Sequence, residues 1–430
     1  MHEDHLDTIV GRIRPGDVIC TSGAGSFPAR FFAALGARTD LHDVTIGHPM
    51  RQHEIPYAVD YAGGRAADLH HISDFTWDAP IRDAIRAGRA SYRPENPHRQ
   101  PASWQRAYPT DVFVTSVSPP DRHGYVSLGA FGGLARSFLD ATAPPTVIFE
   151  INRHQPRVLG QVSVPLSAAT ASYEAHYELP QIVLGTETSD ADRAIAEHVA
   201  DLIPDGATIQ IGVGAIPDTV ARLLVAAGKR HLGIHSENIS DSLVELVEAG
   251  VVDNSRKQEF RGVTVCTLAV ATDRTYRFLD DNPGVHMLPM TYVNDPFVIA
   301  ANPAPVSVNA AVTVDLMGQC ASESIGPAHY SGTGGQWEFV HGAGRADDGR
   351  AIVTLASTAR NGTLSTIVAQ LPQGTPVTIP RNEGPTVVTE YGVADLRGKS
   401  VRDRARSLLA ITHPDFTDKL RHEAVEAGLL

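Results

Sequence analysis

Apolar and polar positions fall in blocks along this chain: short runs rich in β-branched residues, then loops with Gly or Pro, then amphipathic stretches. In the first half, Asp17-Val18-Ile19-Cys20-Thr21 predicts a strand, Ser22 to Pro28 a loop, and Ala29 to Leu35 the opening of a helix. Asp111-Val112-Phe113-Val114-Thr115 and Pro145-Thr146-Val147-Ile148-Phe149 are further runs of strand length. The second half repeats the plan. Ala207 to Ile211 predicts a strand and Gly212-Val213-Gly214-Ala215-Ile216 a loop. Pro217 suits the first turn of a helix, where its missing N–H has no partner to lose; that helix runs through Ala226 and stops near Gly228. His231 to Ser236 predicts a second strand, and Ser240 caps a helix with Leu243, Val244, Leu246 and Val247 on its apolar face. Alternation of this kind predicts an α/β fold with mostly parallel sheets.

Similar strand–glycine loop–helix units in both halves predict two related α/β domains. The join is placed in the small polar stretch Gly185-Thr186-Glu187-Thr188-Ser189, ahead of a helix-like Ala191 to Leu202, which gives domains 1–186 and 187–430. Tyr92 to Tyr108, rich in Pro, His and Arg, reads as an irregular surface loop.

Composition narrows the function classes. A chain of 430 residues with 42% hydrophobic and 20% charged residues has the make-up of a globular protein with a large core. Its formal net charge of -13 argues against a broad nucleic-acid surface, which needs clustered Lys and Arg. A small anionic ligand remains compatible, because helix N-termini and a few arginines hold phosphates locally. Cys20, Cys266 and Cys320 lie far apart with no CxxC pair, which excludes a disulfide framework and a cysteine zinc site and fits a reducing cytoplasm. The mixed-charge start MHEDHLDTIVGRIRPGD is not expected to act as a secretory signal. No run of about 18 apolar residues predicts a membrane span.

Four segments are candidates for chemistry. The loop Gly212 to Ile216 lies between a strand and a helix start, where backbone can approach a phosphate or carbonyl. It lacks the third glycine of a dinucleotide fingerprint and the Gly-Lys-Ser/Thr of a P-loop, so a tight turn explains it equally well. Glu237, in His235-Ser236-Glu237-Asn238, sits where a strand gives way to a helix, the end of an α/β sheet that binds ligands. It can be a nucleophile, a general base or a metal ligand; a helix cap or a solvated loop charge is the plainer alternative. Ser331-Gly332-Thr333-Gly334-Gly335 holds three glycines in four positions, a cost in backbone entropy that close approach of a ligand would explain, as would an unusual turn. Arg381 can pair with a phosphate or be a solvated arginine. His42, His48, His53, His70 and His71 crowd the first half, yet no HExxH or zinc-type spacing occurs, so no metal site is expected. No GxSxG elbow supports a serine hydrolase.

Taken together, these segments resemble the acetyl-CoA hydrolase/transferase family, which includes 4-hydroxybutyrate CoA-transferase. The resemblance runs over nearly the whole chain. It is carried by Leu202 to Asp218, His235-Ser236-Glu237, Glu323-Ser324-Ile325-Gly326 with the loop through Phe339, Val388 to Ser400, and His413-Pro414-Asp415-Phe416; Val117 to Tyr125 adds to it. It implies two CoA-transferase-type α/β domains with the active site between them and Glu237 as the catalytic glutamate. It further implies CoA contacts from Gly212, Val213, Gly214, Ala215 and Ile216, from Gly334 and Gly335, and less directly from Gly362 and Arg381. Departures from the family pattern are Asn238 and Ser242, and the first-half loop Gly23 to Pro28. Asn238 is a candidate polar contact to the acyl group.

The chemistry implied is transfer of CoA from an acyl-CoA, short-chain by the resemblance, to a carboxylic acid. A glutamate, with a usual pKa of about 4.3, is ionised at neutral pH and needs no general base. Its attack on the thioester gives a mixed anhydride and CoA thiolate, and thiolate attack then leaves a glutamyl-CoA thioester. Coenzyme A and its thioesters are substrates; no permanently bound cofactor is expected. An acyl-CoA hydrolase would share the glutamyl intermediate and admit water, and a CoA-binding protein without turnover would keep only the fold. The resemblance also implies a homo-oligomer, a dimer or a tetramer.

Overall fold

The computed structural model describes residues 5–48, 69–76, 79–182 and 188–430. They form two compact units. The first comprises Met1–Ile182, Glu237–Asp241 and Val265–Val293; the second comprises Val183–Ser236, Ser242–Thr264 and Asn294–Leu430. The units are therefore not uninterrupted halves of the chain, and the passage from one to the other falls between Ser236 and Glu237. Of the predicted join, residues 183–187 lie outside the described residues. After them Ser189 opens the helix Asp190–Leu202, in a reciprocal cap with Asp192.

A seven-stranded sheet organises the first unit. Its order is Ala90–Tyr92, Leu69–Ser73, Val44–His48, Val18–Thr21, Val112–Val117, Thr146–Asn152, Ala171–Ala175. Every neighbouring pair is parallel. In register, Ile19 pairs with Ile46 on one side and Val112 on the other, and Val114 pairs with Ile148. All six residues of Val112–Val117 are buried, as a central strand covered on both faces requires. The helix Ala29–Gly36 buries Phe31, Phe32 and Leu35 against Ile19, Val44, Val114 and Ile148.

The second unit holds a six-stranded sheet in the order Gly233–Ile234, Thr208–Ile211, Pro305–Ala310, Arg350–Thr354, Thr386–Thr389, Gly392–Asp395. Its pairs are parallel except the last, a hairpin. Val340, Val353, Val387, Leu396 and Leu408 belong to its core. The α/β reading with mostly parallel sheets thus holds.

Two local expectations are corrected. Tyr92 to Tyr108 is not irregular: after a 3-10 turn at Pro97–Arg99, Gln100–Ala107 is a helix. It forms because Trp104 is buried, with its indole N–H donating to Thr110 Oγ1 at 3.1 Å, which compensates for an otherwise polar composition. The strand predicted over His231 to Ser236 shortens to Gly233–Ile234, since His231 sits in the left-handed region at φ 59° and starts the segment as a turn.

Candidate active site

Glu237 is placed by main-chain bonds of its own segment. Its carbonyl oxygen accepts the N–H groups of Thr267 and Leu268 at 3.1 and 3.0 Å. The strand Asn238–Ile239 then pairs in parallel with Leu268–Ala269. Asn238 Oδ1 accepts the N–H of Val270 at 2.6 Å. Ile239 is fully buried, whereas Glu237 itself is half-buried. Beyond it, Asp241 Oδ1 accepts the hydroxyl of Thr275 at 2.6 Å.

The support beneath this strand comes from the same unit. Gly133 donates its N–H to the Thr267 carbonyl at 3.0 Å, and a Cβ at position 133 would lie 2.1 Å from the Leu288 carbonyl oxygen. Only glycine lets the helix Gly132–Thr142 come this close. The 3-10 turn Gly129–Phe131 joins that helix to the first-half loop at Ala24–Ser26. Gln155 ties the two, donating Nε2–H to Gly25 O and accepting the Ala130 N–H at 3.2 Å.

Behind this loop lies a buried carboxylate that sequence reasoning missed. Glu150 accepts the N–H groups of Arg30 and Phe31 at 3.2 and 3.3 Å, capping the helix Ala29–Gly36, and takes the hydroxyls of Tyr173 and Tyr177. Burial pushes its pKa up, against the lowering effect of those hydrogen bonds. Its signal in sequence was a lone charge inside the apolar run Thr146–Asn152. Asp74 and Arg93 form a second missed group, joined by two bonds of 2.7 Å after the ends of Leu69–Ser73 and Ala90–Tyr92. Burial raises the Asp74 pKa and Arg93 opposes the rise.

In the second unit the predicted loops cluster at the carboxyl-terminal edge of the sheet. The strand Thr208–Ile211 is fully buried; Gly212 to Ile216 then emerge partly exposed. Gly212 donates to Val308 O at 3.0 Å. Gly214 adopts φ 128° and precedes the helix Ala215–Ala226; a Cβ there would meet nothing within 4 Å, so open space faces this backbone. Gly334 (φ 51°) and Gly335 precede the helix Gln336–Arg345, and Gln336 Nε2 donates to Ala310 O at 3.0 Å. Because Ile211 pairs with Val308 and Ala310 ends the same strand, both glycine loops share one edge.

Gly362 lies in an exposed turn between Thr358–Ala359 and Leu364–Ser365, past the carboxyl end of Arg350–Thr354 and thus on that same edge. Arg360, Asn361 and Gly362 all have positive φ. The base of this hairpin is held by Glu390, whose carboxylate accepts the Ser357 N–H at 2.8 Å and hydroxyl at 2.6 Å. Arg381 is placed differently. It sits in the 3-10 turn Arg381–Glu383, ahead of the strand Thr386–Thr389, on the amino-terminal edge. Glu323, beside the second glycine loop, is a further missed group: its carbonyl accepts the N–H groups of Tyr330 and Ser331, and burial raises its carboxyl pKa.

Among the described residues no group of three His, Cys, Asp or Glu side chains could hold a metal, and no helix is long and apolar enough to cross a membrane. Of the histidine group, His53 and the side chain of His48 lie outside the described residues. The second unit thus offers backbone N–H groups at two glycine-led helix starts, suited to phosphates or developing oxyanions. The first unit offers a carboxylate on a fixed main chain.

The chain is similar to known proteins. The Acetyl-CoA hydrolase/transferase N-terminal domain matches residues 9–183, and the Acetyl-CoA hydrolase/transferase C-terminal domain matches residues 272–424. The 4-hydroxybutyrate coenzyme A transferase of Clostridium kluyveri is 43% identical over 80% of this chain and 79% of its own. The succinyl-CoA:cyclohexane-1-carboxylate CoA transferase of Geobacter metallireducens is 38% identical over 96% of this chain and 92% of its own. The solved structure of RipA from Yersinia pestis superposes with a TM-score of 0.91 at 33% identity, covering 99% of this chain and 97% of that one.

Proposed function

The chain belongs to the acetyl-CoA hydrolase/transferase family, and from that membership we propose that it moves coenzyme A from an acyl-CoA to a free carboxylic acid through a covalent thioester on Glu237. Transfer of CoA is the activity named for its similar relatives; the covalent route and the residue roles are inferred from the chemistry of the site.

The observation that carries the reading is the placement of Glu237. Its backbone carbonyl is bonded twice and the next strand is paired, while the residue stays half-buried. A nucleophile held in this way loses little freedom on reaching its attacking position. In the first step a carboxylate oxygen of Glu237 attacks the thioester carbonyl. The C–S bond breaks, a mixed anhydride forms, and CoA leaves as the thiolate. The thiolate then attacks the glutamyl carbonyl of the anhydride, releasing the first acid and leaving CoA on Glu237. An incoming carboxylate runs the two steps in reverse. Sulfur, carboxylate and acyl groups balance without any proton donor, redox partner or resident cofactor.

In this reading the N–H groups around Gly212–Ile216 and Gly334–Gly335 receive phosphate or oxyanion oxygens, and the exposed turn at Gly362 meets another part of CoA. The acyl groups are short, of the 4-hydroxybutyrate and acetate class. The enzyme works as a homo-oligomer in the cytoplasm.

Incubation with candidate acyl-CoAs, borohydride reduction and mass mapping test the route. A reduced, modified Glu237 is the expected result, and transfer that proceeds with Glu237 unmodified and replaceable would overturn it. Release of free thiol measured with and without an acceptor acid separates transfer from hydrolysis: transfer predicts little release of CoA to water.

A further inference from the structure

The edge of the second sheet opposite its glycine loops carries a cavity of its own. The helix Gln336–Arg345 starts at the carboxyl edge and ends at the amino edge, where the cavity meets it at His341, Gly344 and Arg345. The turn ahead of the strand Thr386–Thr389 and the chain leaving the antiparallel strand Gly392–Asp395 reach the same edge. They supply Asn382, Glu383 and Gly384, and Arg397 and Gly398. Arg404 completes the lining of a space of about 300 Å³.

Three arginines, Arg345, Arg397 and Arg404, and one carboxylate, Glu383, line this cavity in a chain whose net charge is -13. That carboxylate is engaged already, with Glu383 Oε2 3.0 Å from His341 Nδ1. The guanidinium groups rest on neutral partners. Arg397 Nη2 donates to Gly349 O at 2.7 Å. Arg404 donates to the carbonyls of Lys399, Met317 and Arg381. Arg345 lies over the Phe297 ring at 4.5 Å. Carbonyls and rings satisfy geometry and leave the charges uncompensated. Gly384 keeps the approach open: at φ 55°, a Cβ there would stand 3.2 Å from Arg404 Nη2. Burial, and then the charge of Arg381, hold the Arg404 pKa below its usual value.

We propose that this amino-edge cavity binds a phosphate-bearing small anion of about the size of a diphosphate, at a site separate from the CoA loops. An arginine-rich lining suits the several anionic oxygens of a phosphoryl group, and the volume is at the lower end for small-ligand sites. The phosphates belong to a free anion rather than to CoA, and competition with CoA tests this.

The test is calorimetric titration of pyrophosphate into the intact protein, alone and with saturating CoA, and into the Arg345→Ala/Arg397→Ala double variant. The expected result is saturable binding that CoA leaves in place. In the variant the dissociation constant should rise tenfold or more, while its CoA affinity stays at the parent value as a check on folding. Arg345→Ala alone, an exposed position, should show part of the loss if the double variant fails to fold. Absence of pyrophosphate binding, displacement by CoA, or parental pyrophosphate affinity in the folded variants would each overturn the proposal.

Discussion

The backbone carbonyl of Glu237 accepts the N–H of Leu268 at 3.0 Å. This bond, with the paired strand that follows it, separates the job of holding the residue from the job of its side chain. Glu237→Gln keeps the shape and every main-chain bond but removes the anion proposed as nucleophile. Transfer is expected to fall roughly 10³-fold or more, with little change in thermal unfolding. Initial rates with acyl-CoA and acceptor acid, alongside melting curves, check both halves of the statement.

Gly214 separates backbone strain from steric crowding. Its φ of 128° disfavours any side chain, yet nothing stands within 4 Å of an added Cβ. Gly214→Ala is expected to cost about 1–3 kcal/mol of stability and to raise KM for the acyl-CoA more than it lowers kcat. Steady-state kinetics over a range of acyl-CoA concentrations would show whether the loop contacts that substrate.

Gly133 gives the opposite case. A Cβ there would lie 2.1 Å from Leu288 O and 2.2 Å from Thr267 Oγ1, next to the strand that pairs with Asn238–Ile239. Gly133→Ala should destabilise the protein by about 3 kcal/mol and lower activity together with the folded fraction. Urea unfolding of the purified variant measures the first effect, and activity per folded molecule the second.

Lys257 is buried, and its ammonium donates to Ile234 O and Val263 O, both at 2.9 Å. It therefore clasps the end of the strand Gly233–Ile234, three residues ahead of Glu237. Lys257→Met leaves a buried and a part-buried carbonyl short of a donor, at about 3 kcal/mol. Chemical denaturation should show that loss, with kcat reduced in the molecules that remain folded.

Glu150 predicts a dependence on pH. Burial raises its pKa, so between the usual carboxylate value and the raised one the folded protein holds a proton that the unfolded chain has released. Its contribution to stability is fully present below that window and is lost as pH rises through it. Glu150→Gln cannot titrate. The stability of the parent minus that of the variant should therefore decline with rising pH, as measured by urea unfolding from about pH 4.5 to 7. A constant difference would contradict the raised pKa.

Much of this molecule was legible in local pattern. The strand Thr208–Ile211, the glycine loop and the helix Ala215–Ala226 stand where the alternation put them, because a buried parallel strand and an amphipathic helix each leave a periodic signature. Less was legible where burial overrode composition. Gln100–Ala107 looked irregular, and only the packing of Trp104 makes it a helix. Lys257 gave no signal at all, since a lysine in a loop reads as solvated until the strand end it clasps is known.

The sequence by itself determined the α/β architecture and the parallel strands, since these follow from periodicity and from motifs contiguous in the chain. Tertiary structure alone decided that Glu237 to Asp241 group with the first unit rather than with the strand that precedes them. It alone separated Gly212, Gly335 and Gly362 on one sheet edge from Arg381 on the other. The physical reason is that edges and units are set by long-range strand pairing, whose partners, such as Asn238 with Leu268 or Ile211 with Val308, lie too far apart in the chain for any local pattern to announce.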